Sequence, residues 1–467
     1  MAYLVAFPLN AALAFGLSLA VAALLGPDAY GRYAVGLSIA VVVATLFFDW
    51  LRLATMRFQG ERLRAENPAI RRTLDLAYLA VAAGLCLATP IVLPFAPAGS
   101  GRAVLVAAVV FGICYGFCEY RIALSRALFR EGGFVALTCL RGLFALGFAA
   151  GAAFATGDPA LTLAATALAS ALPALLIRGP LRDPEAAKAA FDGKLARSFA
   201  RYALPLVAAN ALYQAMPLLN RVLLAGQHGF VEAGYFALVS EIAMRLLQNI
   251  GMALDVLLFQ IAVREDELHG REAAERQLTR NAGFVAAIVI PSAAGLCGIW
   301  PAFEAIFIPQ AFRGHLGGLV PLLVPALAAY VLILFAVNPF FQMRHRTAPA
   351  VASALAALAV NLLAVLLWRP AGAGGYALAQ LAGTILALVL TAAMAVAAGA
   401  RLPWRDVAVA GVAAGIMLAA ILPLRDASGP LATLALQVAC GGAVYGGLAL
   451  LFDLCGARAL LRRATLR

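Results

Sequence analysis

Five arginines lie inside long apolar segments of this chain, where a charge is unfavourable unless a partner or a cavity receives it. They are Arg52, Arg121, Arg141, Arg221 and Arg245. A charged side chain at the centre of a membrane-spanning helix costs about 2.5–3.5 kcal/mol on insertion scales. We therefore expect these arginines to face a polar cavity among helices or to pair with carboxylates.

Polar residues recur on one side of the segments that hold three of these arginines. At about 100° per residue, each of three sets falls on a single helical face. The sets are Ser38, Thr45, Asp49 and Arg52 in residues 33–56, Asn210, Gln214 and Arg221 in residues 203–225, and Glu241, Arg245, Gln248 and Asp255 in residues 235–262. Helices that turn such stripes toward one another predict a central cavity.

The role of each charge stays open at the level of sequence. Arg52 and Arg121 lie near segment ends, where a long side chain can extend to the membrane interface. Asp49 and Arg52 are close enough in sequence to pair with each other. Arg245 lies about 15 Å along its helix axis, nearest the middle of its segment, but it can also pair with Glu241 one turn earlier.

The elements that must position these side chains are membrane-spanning helices. Of the 467 residues, 64% are hydrophobic and 12% are charged, whereas a soluble globular protein has about 25% charged residues. A spanning helix needs about 20 mostly apolar residues. Fourteen such runs occur, at residues 3–25, 33–56, 74–97, 103–125, 134–156, 160–177, 203–225, 235–262, 282–308, 318–343, 349–367, 376–398, 407–424 and 430–453. Because the linkers are too short for a catalytic domain, we predict an all-α polytopic membrane protein that is not an enzyme.

The basic residues predict the orientation of the spans. The linkers after even-numbered spans and the C-terminal tail hold 25 of the 35 Lys and Arg, and the linkers after odd-numbered spans hold five. Lys and Arg collect in cytoplasmic loops, so we expect both termini in the cytoplasm. The formal net charge of +12 then reflects topology, and no nucleic-acid partner is expected.

No sequence pattern indicates a cofactor, a metal ion or ATP. The four histidines do not cluster; they are His228, His269, His315 and His345. The Gly193-Lys194 pair is followed by leucine and lacks the earlier glycine of a phosphate-binding loop. We therefore expect no metal site and no ATP hydrolysis.

Part of the chain repeats after 203 residues. Residues 31–35 (GRYAV) match residues 234–238 (GYFAL), and Ile39-Ala40 matches Ile242-Ala243. Both copies connect spans that cross in the same sense, which predicts a parallel repeat. The expected organisation is a six-helix half at 1–177, a cytoplasmic linker at 178–202, a second six-helix half at 203–398, and two appended helices with a basic tail at 399–467.

Three short motifs are informative together: residues 25–34 (LGPDAYGRYA), residues 49–53 (DWLRL) with Arg57-Phe58, and residues 220–226 (NRVLLAG). They resemble the polysaccharide transport branch, with its O-antigen-type flippases, of the multidrug/oligosaccharidyl-lipid/polysaccharide (MOP) exporter superfamily. The third motif has Asn220 where the family has aspartate. In architecture, the resemblance covers the whole chain.

The resemblance implies a transport function. Such proteins flip undecaprenyl-pyrophosphate-linked oligosaccharides across the bacterial inner membrane by alternating access, for exopolysaccharide or O-antigen (lipopolysaccharide) synthesis. Their two six-helix halves surround a central cavity, commonly with two extra C-terminal helices. The implied partners are the lipid-linked oligosaccharide, membrane lipids and other polysaccharide-assembly proteins.

The chemistry of such a substrate gives the polar residues hypothetical roles, because guanidinium groups suit phosphate oxygens. Arg245, Arg52 and Arg221, followed by Arg141 and Arg121, would contact the pyrophosphate. Asn210, Gln214 and Gln248 would bind sugar hydroxyls. Glu241, Asp255 and Asp49 would carry a coupling proton or Na⁺, or balance the arginines.

Three alternative functions stay open at this level. A lipid II flippase is poorly separated from a polysaccharide flippase by sequence. A multidrug exporter of the same superfamily usually has twelve spans and a less basic cavity. A membrane glycosyltransferase or polymerase commonly needs a large outer loop or acidic metal ligands, whereas the short outer linkers here carry scattered Asp28, Asp158 and Asp426.

Overall fold

The protein is built from helices that are long and apolar enough to cross a membrane. The computed structural model describes residues 2–59, 67–96, 99–177, 181, 183–344, 348–368, 370–426 and 429–459, and these ranges contain no β-strand. Within them, twelve helices qualify as membrane spans by length and composition. The predicted all-α polytopic fold is confirmed.

The predicted spans map onto these helices with two differences. Ala2–Phe58 holds the first two predicted spans on either side of a kink at Gly26, and its part Leu9–Phe58 counts as one of the twelve. Gly193–His228 covers the predicted span 203–225, although it is not one of the twelve. With these two adjustments, each of the fourteen predicted spans has a helix.

The chain divides into two compact units, Met1–Ala237 and Leu238–Arg467. The described helices of the first unit are α1 (Ala2–Phe58), α2 (Ala69–Val92), α3 (Ser100–Ala127), α4 (Glu131–Thr156), α5 (Pro159–Leu176), α6 (Pro184–Lys188), α7 (Gly193–His228) and the start of α8 (Phe230–His269). In this unit α1 packs against α3, α4 and α7. The boundary between the units lies inside α8, and the six-helix halves stay a prediction.

The second unit holds the rest of α8 and seven further described helices. They are α9 (Arg271–Phe307), α10 (Val320–Leu332), α11 (Asn338–Met343), α12 (Ala348–Trp368), α13 (Ala373–Ala397), α14 (Trp404–Ile421) and α15 (Pro430–Leu451). The predicted appended helices, α14 and α15, pack against α9. The basic tail beyond residue 459 lies outside the described residues.

Two glycines connect the helices of the repeated segment in the same way. Gly26 (φ 71°, ψ 174°) separates the two arms of α1, and Gly229 (φ 90°, ψ 168°) separates α7 from α8. This conformation is essentially restricted to glycine, and the two positions are one repeat offset apart. The sequence predicts a linker at 26–32, but helix resumes at once because the fixed φ of Pro27 suits a first helical position.

The two copies of the repeated segment touch each other within the first unit. A Cβ added to Gly31 would lie 1.9 Å from the carbonyl oxygen of Phe230, and one added to Gly234 would lie 2.3 Å from that of Pro27. Since Pro27 and Phe230 are also equivalent by the repeat offset, the contact is reciprocal. We call it the glycine contact, and its symmetry supports a repeat in this part of the chain.

Two further glycines bring α3 against α1. A Cβ on Gly112 would lie 2.9 Å from the Ala40 carbonyl oxygen, and a Cβ on Gly116 would lie 2.7 Å from the Phe48 ring. Glycine at four-residue spacing allows this close helix approach in membrane bundles. The approach brings the polar stripe of α1 close to α3.

Aspartates determine where three helices begin. Asp158, Asp183 and Asp192 each accept hydrogen bonds from backbone amides in the first turn of α5, α6 and α7. Such N-caps stabilise a helix by about 1 kcal/mol. Because Asp192 caps α7, this helix begins well before the predicted start at residue 203, inside the segment predicted as a cytoplasmic linker.

Candidate functional site

A cluster of charges lies on three helices of the first unit. Asp49 and Arg52 lie on α1, Glu119 on α3 and Arg141 on α4. Arg52 Nε lies 2.8 Å from Asp49 Oδ1, and Arg141 Nη1 lies 2.5 Å from Glu119 Oε1. These four residues and Tyr115 form what we call the charge cluster.

Tyr115 and electrostatics link the two pairs of the charge cluster. The guanidinium carbon of Arg141 lies 5.4 Å from the centroid of the Tyr115 ring, within the range of a cation–π contact. Glu119 interacts electrostatically with Arg52 as well as with Arg141. Two arginines and two carboxylates leave the cluster without net charge.

The charge cluster is accessible rather than sealed. Between 18% and 33% of each charged side chain is exposed. Both guanidinium groups thus keep a partly exposed surface beside the carboxylates that pair with them.

Glu119 is a candidate site residue that the sequence analysis missed. Its partner Arg141 lies 22 positions later on another helix, and no local spacing rule connects residues so far apart. The Asp49–Arg52 pair, in contrast, is the local alternative that the sequence allows. Only the packing of α3 beside α1 and α4 reveals that the two pairs form one group.

Two predicted site arginines are buried in the first unit. Arg121 is 9% exposed, and its Nη2 donates to the carbonyl oxygen of Ile177, the residue that ends α5, at 3.1 Å. Arg221 is 4% exposed, and its Nη1 donates to Ser38 Oγ at 2.7 Å. These contacts join α3 to α5 and α7 to α1, so both arginines hold neighbouring helices together.

The predicted sugar-binding residues of α7 differ in exposure. Asn210 is exposed and Gln214 is partly buried, on the same helix as Arg221. Gln248 of α8, in the second unit, is also partly buried. Each of the three amides thus has surface that a ligand can reach.

An ion pair on α8 is the main charged feature of the predicted stripe in the second unit. Arg245 Nη2 lies 3.5 Å from Glu241 Oε2, with 29% and 20% of the side chains exposed. This is the i,i+4 pairing that the sequence allows. The partial exposure leaves Arg245 accessible to a ligand, as in the charge cluster.

Asp255 of α8 lies beside the break between α10 and α11. One turn there, Ile333–Val337, is a π-helix, because the Pro339 ring removes a helical hydrogen bond and clashes with the preceding turn. Asp255, Asn281 and Pro339 line a small cavity at this break. In the described ranges, no group of three or more His, Cys, Asp or Glu is placed to hold a metal ion.

No family model matches the sequence, and no curated protein matches it. Low similarity in sequence therefore leaves the three-dimensional fold as the basis for comparison.

Three solved structures with a similar fold are transport proteins. Lipid II flippase MurJ in an inward closed conformation aligns with a TM-score of 0.75 at 12% identity, over 98% of this chain and 99% of that chain. An inward-facing multidrug resistance MATE family transporter of the MOP superfamily aligns with a TM-score of 0.60 at 14% identity, over 83% and 93%. The MATE multidrug transporter DinF-BH, solved as a complex, aligns with a TM-score of 0.57 at 13% identity, over 83% and 91%. The chain is therefore a multi-pass membrane protein with the helical fold that these proteins share.

Proposed function

We propose that this protein is a flippase that moves undecaprenyl-pyrophosphate-linked oligosaccharide repeat units across the bacterial inner membrane by alternating access. The product would serve exopolysaccharide or O-antigen synthesis. The observation that carries the proposal is the partly exposed charge cluster, which places two arginines on membrane-spanning helices where an anionic group could bind them. The full-length likeness in fold to a lipid II flippase supports it.

The charge cluster supports a mechanism in which the substrate and the carboxylates compete for the same arginines, and a proton bound to a carboxylate favours the substrate. With Asp49 and Glu119 ionised, both guanidinium groups are neutralised, and a pyrophosphate must displace a carboxylate in order to bind. Once a carboxylate is protonated, its arginine becomes a bidentate donor for phosphate oxygens. Proton uptake and binding of the anionic head are therefore coupled in our proposal.

The second unit contributes a similar pair and a further carboxylate. Arg245, paired with Glu241, is our second phosphate ligand. Glu241 and Asp255 are the candidates for a coupling proton or Na⁺, together with Asp49 of the first unit. The amides of Gln248, Asn210 and Gln214 are proposed to bind sugar hydroxyls.

For the two buried arginines, Arg121 and Arg221, we propose that they position helices and do not contact the phosphate directly. Arg221 holds the Ser38 turn of α1, and Arg121 holds the end of α5. Each orients a helix that carries or flanks the charge cluster. We also propose an inner-membrane location with both termini in the cytoplasm, as the distribution of Lys and Arg predicts.

A lipid II flippase is the second candidate, favoured by the TM-score of 0.75 and the 98% coverage. Both candidate substrates carry the same pyrophosphate and polyprenyl groups and differ in the sugar part. The MATE structures, which cover 83% of the chain at TM-scores of 0.60 and 0.57, support a multidrug exporter less well. Arginines are also unsuited to the cationic compounds that many such exporters carry.

Deletion of the gene followed by lipid extraction tests the proposed function. We expect a lipid-linked repeat unit to accumulate on the cytoplasmic side and surface polysaccharide to fall. The native gene should remove the accumulated lipid and restore the surface polysaccharide. The Arg102→Ala variant, which changes an exposed arginine at the start of α3, should do the same. The Arg245→Ala variant should leave the lipid accumulated and the surface polysaccharide low. Accumulation of lipid II would favour the second candidate, and unchanged lipids would refute both.

A further inference from the structure

A cavity of about 450 Å³ in the first unit shares no residue with the charge cluster. Its walls come from the second arm of α1, the end of α2, the start of α3, the end of α7 and the start of α8. Apart from Arg32 and Ser100, its lining consists of apolar side chains and glycine. Ligand sites in proteins have this size and this mixture of apolar walls with a few polar groups.

The cavity opens toward the apolar surface of the unit. Three of its lining residues are well exposed: Val92 by 51%, Phe95 by 86% and Val222 by 41%. They lie on or next to helices that are long and apolar enough to span a membrane. Lipid surrounds helices of this kind in a bilayer, so the apolar walls at this opening suit an acyl chain.

Arg32 provides a polar end for this apolar cavity. Its Nε donates to Asp28 Oδ2 at 2.9 Å and its Nη1 to Ser100 Oγ at 3.1 Å, while its guanidinium carbon lies 4.3 Å from the Phe230 ring centroid. Arginine has five N–H donors, and the Arg32 side chain is 32% exposed, so its Nη2 group can donate to a ligand while Nε keeps Asp28. A phosphate oxygen at the cavity mouth would accept from this group.

We propose that this cavity binds a phospholipid of the bilayer, with one acyl chain between the helices and the headgroup phosphate on Arg32. The volume suits a single acyl chain, whereas the polyprenyl chain of a transported lipid is much longer. A lipid placed here would contact segments of five helices and would brace them. The proposal concerns a resident lipid and does not depend on the proposed function.

Photolabelling tests the site in the intact protein. The full chain is reconstituted in phosphatidylcholine vesicles with a trace of phosphatidylglycerol that carries a diazirine on one acyl chain. Diacylglycerol with the same chain is the matched probe without phosphate. After irradiation, mass spectrometry compares labelling of the cavity wall with labelling of Leu87, a 75% exposed residue of α2 that bulk lipid contacts.

The variants test separately the binding of the acyl chain in the cavity and the binding of the phosphate by Arg32. Relative to Leu87, we expect the cavity wall to be labelled about two- to fivefold more by the phospholipid than by diacylglycerol. One basic residue gives a preference of about fivefold for an anionic lipid, and the ion pair with Asp28 lowers it. Arg32→Gln should abolish this preference. Gly226→Leu should block wall labelling by both probes, because Gly226 lines the cavity and a Cβ there meets nothing within 4 Å.

A leucine placed elsewhere in the unit is the control for Gly226→Leu. Gly147→Leu, at a position of α4 with similarly open surroundings, should leave wall labelling at its native level. Wall labelling no stronger than that of Leu87 in the native protein would overturn the proposal. Preferential labelling by a diazirine polyprenyl phosphate would also overturn it, because the site would then take the transported class of lipid.

Discussion

The glycine contact offers the sharpest test of the packing that joins the two repeated segments. Gly31→Ala places a methyl group 1.9 Å from the Phe230 carbonyl oxygen, and Gly234→Ala places one 2.3 Å from that of Pro27. The atoms in the way belong to the backbone, so no side chain can rotate to relieve the clash. Either substitution must push the second arm of α1 away from the start of α8.

The size of the effect follows from the shortfall in distance. Real Cβ atoms keep about 3.0 Å from such neighbours, so the shortfalls are 3.0 − 1.9 = 1.1 Å for Gly31 and 3.0 − 2.3 = 0.7 Å for Gly234. Forced overpacking of this kind costs about 1–3 kcal/mol. For a unit of 237 residues, this corresponds to a fall of about 2–12 °C in melting temperature, with the larger fall for Gly31→Ala.

Thermal unfolding of the purified variants in detergent provides the assay. Gly16→Ala and Gly226→Ala are the matched controls, because an added Cβ meets nothing within 4 Å there, and alanine should be neutral or slightly stabilising in a helix. The double variant Gly31→Ala/Gly234→Ala should lose less than the sum of the single losses, since both methyl groups open one contact. Single variants that behave like the controls, or losses that add, would refute the reasoning.

Arg141→Met leaves the Glu119 carboxylate without its closest cation and should destabilise the protein by about 1–3 kcal/mol. In melting curves, the double variant Arg141→Met/Glu119→Gln should recover part of this loss. If it recovers none, the two residues are not coupled. Asp158→Ala removes the N-cap of α5 and should cost about 1 kcal/mol, whereas Asp158→Asn should cost less, as thermal unfolding of both variants can check. Burial, helped by the Asp406 carboxylate, raises the pKa of the Cys455 thiol to about 12. The thiolate is the reactive form, so iodoacetamide should leave Cys455 unmodified at pH 8 and modify it only as the pH approaches 12. Peptide mass spectrometry measures the modification. Ready alkylation at pH 8 would contradict this burial.

Most of the fold could be predicted from the sequence because the membrane imposes a length on each apolar run. Each of the fourteen predicted spans corresponds to a helix, and the errors lie at helix ends. A hydropathy pattern cannot distinguish a loop from a glycine bend such as Gly26, after which helix resumes at Pro27. It also cannot locate the start of α7, which depends on the Asp192 cap in a polar segment.

The candidate site could be predicted only where its partners are neighbours along one helix. The Asp49–Arg52 and Glu241–Arg245 pairs follow from helical spacing and were open alternatives in the sequence. Partners on different helices were not predictable in this way. Glu119 is the clearest case, since its importance depends on how α3 packs beside α4.

A flipping measurement with purified protein tests the central claim most directly. Vesicles that contain the protein and a fluorescent oligosaccharide on polyprenyl pyrophosphate are sampled for arrival of the sugar on the opposite face. We predict movement by the native protein and a rate about ten- to a hundredfold lower for Arg52→Ala and for Arg141→Ala, the effect of losing one charged hydrogen bond. Arg102→Ala should keep the native rate. A native rate no higher than that of protein-free vesicles, or arginine variants as fast as the native protein, would contradict the account.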